Sequence, residues 1–168
     1  MGCQAFSNGL IIFSETYGSL IQTGAIVISA LAAVLLILYT QRLAGKRATI
    51  DLLLQQLHNE VLVHAKKAIK VLREKKVNFV ELADNEKADQ NTYIQLILNN
   101  YEFIASGIRE RAFDEAIYKR MHYSMVMKHW DDFEPYVMEL RKSRHQPTLF
   151  QEFEWLGKRW KVKPLKKD

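Results

Sequence analysis

From Thr16 to Gln41 the chain carries no Asp, Glu, Lys, Arg or His, and between Ala25 and Leu38 only Ser29 is polar. A helix over this stretch has no charged face to turn toward water. A bilayer's hydrocarbon core is about 30 Å thick and needs roughly 20 helical residues. Gly18 to Tyr39 supplies them, with Tyr17 and Tyr39 placed as interfacial aromatics. A buried soluble helix is the alternative, and it fits poorly because a soluble helix this long nearly always shows a charge on one face.

The charges lie to one side of this segment. All 24 Lys and Arg occur at or after Arg42, and Glu15 is the only charged residue before it. Arg42, Lys46 and Arg47 follow the apolar run directly, so the positive-inside rule places residues 1–17 outside as a short external N-terminus, 18–40 in the inner (cytoplasmic) membrane and the remainder in the cytoplasm. A cleavable signal peptide needs a basic start, a shorter apolar region and a small-x-small exit, and none is present. Phe6 stands where myristoylation wants Ser or Thr. Cys3 is the only cysteine, which excludes intrachain disulfides and multi-cysteine metal sites and leaves an unpaired thiol or a link between two copies.

Beyond the span the pattern predicts an all-α fold: one transmembrane helix continuing into, or followed by, a cytoplasmic bundle of four or five helices. Ile50, Leu54, Leu57, Val61, His64, Ala68 and Val71 alternate spacings of four and three, the period of a coiled-coil seam or of a helix packed within its own bundle. The register extends back through Leu43, Leu36, Ser29 and Gln22, so residues 41–76 read as a stalk with Gly45 its weak point and His64 an interior histidine. Ala25, Ser29 and Ala33 have the spacing that lets membrane helices approach closely. Residues 77–90 read as a loop, and 91–160 as the helical domain. One helix there, capped by Asp89 or Asn91, carries Ile94, Ile97, Leu98, Tyr101, Ile104, Ala105 and Ile108 on one stripe. Asp114 caps the next, which turns Ile117, Met121, Met125 and Trp130 inward. Asp131 to Pro135 restarts the chain, since Pro suits a first turn. Thr148 to Gln151 has capping-box spacing ahead of Phe150, Phe153, Leu156 and Trp160.

Asn100-Tyr101-Glu102-Phe103-Ile104-Ala105 leads into Gly107-Ile108-Arg109, then Asp114-Glu115, Trp130, Pro135, Arg141 and a closing Phe153-Glu154-x-Leu156-x-x-Arg159-Trp160. This set resembles a bacterial and phage family of short single-span proteins catalogued as domain of unknown function 4760, and the anchor-plus-helical-domain layout agrees over the rest. Arg111 stands where relatives would carry a small residue. The resemblance implies architecture and a prokaryotic or phage setting, with an envelope role in phage infection or defence as its most specific suggestion. It brings no chemistry.

Asn100, Tyr101, Glu102, Arg109, Asp114, Arg159 and Trp160 are the candidate polar-bracing or interaction residues. As braces, the arginines tie helices to carboxylates; as a recognition site, their planar forks take an anion or a partner's helix end. Glu102 with His122 or His129 is the sparse alternative for catalysis, with no nucleophile, metal set or phosphate loop beside it. His122 and His129 lie seven apart, whereas a chelating helical pair sits four apart. No cofactor or metal is expected. The basic tail, 161–168, places Lys161, Lys163, Lys166 and Lys167 with Trp155 and Trp160 as a contact for anionic lipid, a nearer polyanion than nucleic acid. The expected function is therefore binding and not catalysis. The expected partners are the bilayer and either a second copy or another membrane protein, for which the chain would be an accessory or regulatory subunit.

Overall fold

The computed structural model describes residues 2–83 and 89–166, with side chains from residue 21 onward. The expectations for Cys3, Tyr17 and Lys167 therefore fall on side chains outside the described residues. Among the described residues all regular structure is helical: α1 (Gly2–His58), α2 (Glu60–Glu74), α3 (Phe79–Ala83), α4 (Asp89–Arg109), α5 (Glu115–Arg144) and α6 (Gln151–Val162). The chain divides into two compact units, Met1–Leu43 and Ala44–Asp168.

The first unit is a single helix. From Ile21 to Tyr39 every residue is exposed, and α1 is the one described helix long and apolar enough to cross a membrane. Its polar side chains bond their own backbone: the Ser29 hydroxyl donates to the Ala25 carbonyl (2.8 Å) and that of Thr40 to Ile37 (2.9 Å). Each hydroxyl is thus satisfied without water or a neighbouring chain.

The second unit is built around α4. Its stripe from Ile94 to Ile108 is buried as the spacing predicts, with Ile94, Ile97, Leu98, Ile104 and Ala105 fully enclosed. α4 packs against α2 and α6, and α5 against α3 and α6. Aromatic rings fill the junction: Tyr101 stacks on Phe153 with centroids 4.7 Å apart, and Trp130 meets Phe153 edge-on at 5.2 Å.

Several local expectations are corrected. The helix leaving the span runs through Gly45 and ends at His58; Asn59, extended at ψ 94°, caps α2 by accepting from the Leu62 amide at 3.0 Å. A residue that offers its side chain to the backbone makes a better break than a glycine with neighbours on either side already helical. The segment 77–90 contains α3, started by Asn78, whose Oδ1 accepts from the Val80 amide, and anchored by buried Phe79 edge-on to Phe133. Pro135 lies inside α5, which does not restart there. The lost backbone bond and ring clash cost about 3 kcal/mol, but Phe133, Tyr136 and Val137 are fully buried around it, and their packing holds the helix through. Met121 and Met125 face outward, and Tyr118 and Val126 fill the core in their place.

The largest correction concerns the stalk. Ile50, Leu54, Leu57, Val61 and Val71 are 45 to 67% exposed, and His64 is exposed too, with its ring edge-on to Tyr93. The face that packs into the domain is Thr49, Leu53 and Gln56 on α1, then Leu62, Ala65, Ile69 and Leu72 on α2. The period is right, but on α2 the buried register lies one residue later.

Two glycines should respond oppositely to Ala. A Cβ on Gly157 would come within 2.6 Å of the buried Trp130 ring, so Gly157→Ala should destabilise by about 1–3 kcal/mol. On Gly45 it would meet the Arg111 and Ala112 carbonyl oxygens at 3.5 Å, an ordinary contact, so Gly45→Ala should stabilise by up to about 1 kcal/mol through helix propensity. Urea unfolding of the full chain in mild detergent, followed by tryptophan fluorescence, reads both.

Candidate functional site

The recognisable polar residues converge on α6. Its first residues follow Phe150, which sits in the left-handed region at φ 57° and offers no side-chain cap. The expected Thr148 capping box is not made. The free amides are taken by Glu102 of α4, whose carboxylate accepts from Phe153 N at 2.8 Å and Glu152 N at 3.2 Å. Half-burial pushes the Glu102 pKa up, against the pull of these two amides.

Arginines hold the same helix on both flanks. Arg109 donates through one nitrogen to both oxygens of Glu152 at 2.9 Å. Arg141 donates to Glu154 at 2.6 Å and to the Leu149 carbonyl at 2.8 Å. At the far end Arg159 makes a two-pronged bond to Glu115 (2.9 and 3.0 Å), and the Trp160 indole donates to the same carboxylate at 3.0 Å. The Arg159 guanidinium holds the Glu115 carboxyl below its ordinary value. Trp155 lies between the Arg109 and Arg159 guanidiniums, 5.5 Å from each. Asp114 caps α5 through Ile117 N at 3.0 Å, as expected.

Asn100 and Tyr101 face elsewhere. Asn100 Oδ1 accepts from Gln56 Nε2 at 3.1 Å, joining α1 to α4, while Gln56 Oε1 and Asn100 Nδ2 stay buried with no partner among the described residues. The Tyr101 hydroxyl lies 2.8 Å from His129 Nδ1. Burial, aided by Arg73, Lys66 and Lys128, pushes the His129 pKa down to about 3. Glu102 is thus bound to amides and His129 to a phenol, and neither groove described next is lined by His122 or His129. Among the described residues no group of three or more potential metal-binding side chains assembles.

Sequence reading missed Thr49, Gln56, Arg73 and Glu152. Thr49 is fully buried; its hydroxyl donates to the Gly45 carbonyl and accepts from the Asp114 amide at 2.7 Å. Arg73 bonds Asp132. The signal for the first two was Thr49, Leu53 and Gln56 at four-three spacing, a mixed-polarity stripe beside the apolar one.

One groove, of about 590 Å³, is lined by Glu102, Ser106, Arg109, Glu110, Gln151 and Glu152, with Arg109 and Glu152 paired to each other. Another, of about 640 Å³, is lined by Leu57, Val61, Val63, His64, Lys67 and Tyr93 and continues the exposed stripe. A family model described as domain of unknown function DUF4760 matches residues 20–160. The chain belongs to this family. No curated protein and no solved structure matches it. The DUF4760 region thus includes both the apolar stretch from Ile21 and the Glu102, Arg109, Arg141 and Arg159 contacts that hold α6.

Part of the expected tail contact is engaged inside the domain of this DUF4760 chain. Trp160 is fully buried, and Lys161 pairs with Asp131 at 2.9 Å and Glu134 at 3.5 Å. Lys163 and Lys166 are exposed. An indole in the core is not available to a membrane interface, and Lys161 is partly neutralised.

Two outcomes follow. Glu102→Ala should cost about 1–2 kcal/mol, the loss of a helix cap, and Glu102→Gln less; chemical denaturation with α6 reported by Trp155 fluorescence checks it. In acid, the unfolded chain protonates His129 as pH falls through 6.5, whereas the folded chain resists until about 3. Stability is therefore complete above pH 6.5 and falls by up to about 1.4 kcal/mol per pH unit below it. His122, also lowered by burial, adds in the same direction. Thermal melts from pH 7.5 to 5.0 should show the decline, and His129→Gln should flatten it.

Proposed function

We propose that the chain is a single-span inner-membrane protein whose cytoplasmic helical domain acts by binding, and that its first partner is a second copy of itself. The observation that carries this is the uncovered stripe. Ile50, Leu54, Leu57 and Val61 are 49 to 67% exposed, on the order of 400 Å² of apolar surface, the size at which exposed patches mark interaction sites. The stripe sits on α1, the helix that also carries the apolar span, and Leu43, Leu36 and Ser29 continue its register. Two copies inserted in one bilayer share an orientation, so the same face on each can meet about a two-fold axis along the membrane normal. Ala25 and Ala33 offer the close approach such a pair uses inside the bilayer. The absence of basic residues before Arg42 supports the orientation, with Cys3 outside. The engagement of Glu102, Arg109 and Arg159 in holding α6 supports binding over catalysis.

In lipid nanodiscs loaded at two copies or more per disc, single-molecule photobleaching should count pairs for the wild type. Leu54→Glu with Leu57→Glu should give single copies at unchanged helicity. Wild-type single copies at every loading overturn the reading, and pairs that survive these substitutions but are lost with Ser29→Leu and Ala33→Leu place the contact in the span alone. A membrane-impermeant thiol reagent should label Cys3 in intact spheroplasts; labelling only after lysis reverses the topology.

A further inference from the structure

The corner between α4 and α5 carries a second feature that neither the brace nor the stripe uses. Gly107 lets the Phe113 ring lie flat against α4, in space its own Cβ would otherwise occupy. Phe113 meets Phe103 edge-on at 5.6 Å, and Phe103 is 58% exposed. Between these rings and the start of α5, Arg111 stands exposed in the left-handed region at φ 61°, followed by exposed Ala112.

This corner is fastened to the part of α1 where the chain enters the domain. The Asp114 amide donates to Thr49, and the Arg111 and Ala112 carbonyls approach Gly45. Lys46 and Arg47 are exposed there. Only six positions along the chain separate Gly45 from Tyr39, and the headgroup layer extends several ångströms beyond the hydrocarbon edge.

We infer that the α4–α5 corner is a membrane-contact surface, with Phe103 seated at the interface and Arg111, Lys46 and Arg47 on anionic lipid headgroups. The chemistry matches: aromatic rings prefer the headgroup boundary, and each Lys or Arg near an anionic leaflet favours it by a factor of about five. The left-handed Arg111 fits as well, since its exposed guanidinium has no ion pair or hydrogen bond within the described domain, in contrast to Arg109 and Arg159.

The test uses the full chain at one copy per nanodisc, so that a second copy cannot cover the corner. In a Cys3→Ser background, a spin label is placed at Ala112→Cys or, as control, at Ser143→Cys in the last turn of α5. Collisions with a neutral, water-soluble nickel chelate are then read in discs of phosphatidylglycerol or phosphatidylcholine. The label at 112 should collide about fivefold less than the one at 143 in anionic discs, with the protection reduced in neutral discs and by Arg111→Glu or Phe103→Ser. Equal access at 112 and 143 in anionic discs overturns the proposal. So does protection indifferent to both lipid charge and Arg111→Glu. Circular dichroism confirms that each variant is folded, and neither outcome depends on whether copies pair.

Discussion

A carboxylate on one helix supplies the amide partners that another helix lacks, and the packing of the domain rests on that exchange. Phe150 enters α6 through a strained left-handed residue and brings no cap. Glu102, from α4, closes two of the open amides. Its burial is unfavourable to the charge, but the amides and the positive end of the α6 dipole favour it. Glu152 and Glu154 bring more negative charge to the same turn, and Arg109 and Arg141 balance it. With α6 fixed, Phe153 closes on Tyr101 and Gly157 admits Trp130. The aromatic centre thus depends on a polar contact at its edge.

This arrangement changes what the polar motif means. A guanidinium that bridges a carboxylate and also faces an indole has little capacity left for an anionic ligand, and both Arg109 and Arg159 are so placed. Glu102, Arg109, Arg141 and Arg159 therefore position α6, while Asn100 ties α4 to α1 and Asp114 caps α5. The surfaces proposed for interaction have less distinctive residue types: leucines at half exposure on α1, and a phenylalanine and an arginine at a corner.

The long apolar helix, the α4 stripe, the Asp114 cap and the apolar face of α6 were legible because each depends on local spacing or a single cap. Which face of α2 packs into the domain was not legible because α2 presents two adjacent apolar rows: Val61, Ala68 and Val71, and Leu62, Ala65, Ile69 and Leu72. Both satisfy a three-four rule, so only the tertiary neighbour, α4, decides which row is buried. Pro135 misled for a related reason, because a breaker signal is local while Phe133, Tyr136 and Val137 draw their stabilisation from elements distant in sequence. The cap of α6 was illegible since its acceptor lies 51 residues from the amide it serves at Phe153. Arg111 was marked as out of place in the sequence, and its positive φ gives the physical basis: that backbone region favours glycine.

An apolar stripe on a water-exposed helix would be a liability in a freely diffusing protein, yet its size suits a tethered one. On the order of 400 Å² per copy is about half of what each partner contributes to a standard stable interface, too little to overcome the translational and rotational cost of association from dilute solution. Confinement to a bilayer lowers that cost, because the copies already share orientation and their effective concentration is raised. The break at Asn59 limits the stripe's reach, so that Val71 on α2 does not simply extend the row begun by Ile50. Under the proposed function, a short row ended by a capping residue would give contacts that form only between anchored chains and separate readily. If copies pair as proposed, the membrane is part of the binding site, since leucines that pair them in a bilayer would leave them apart in water.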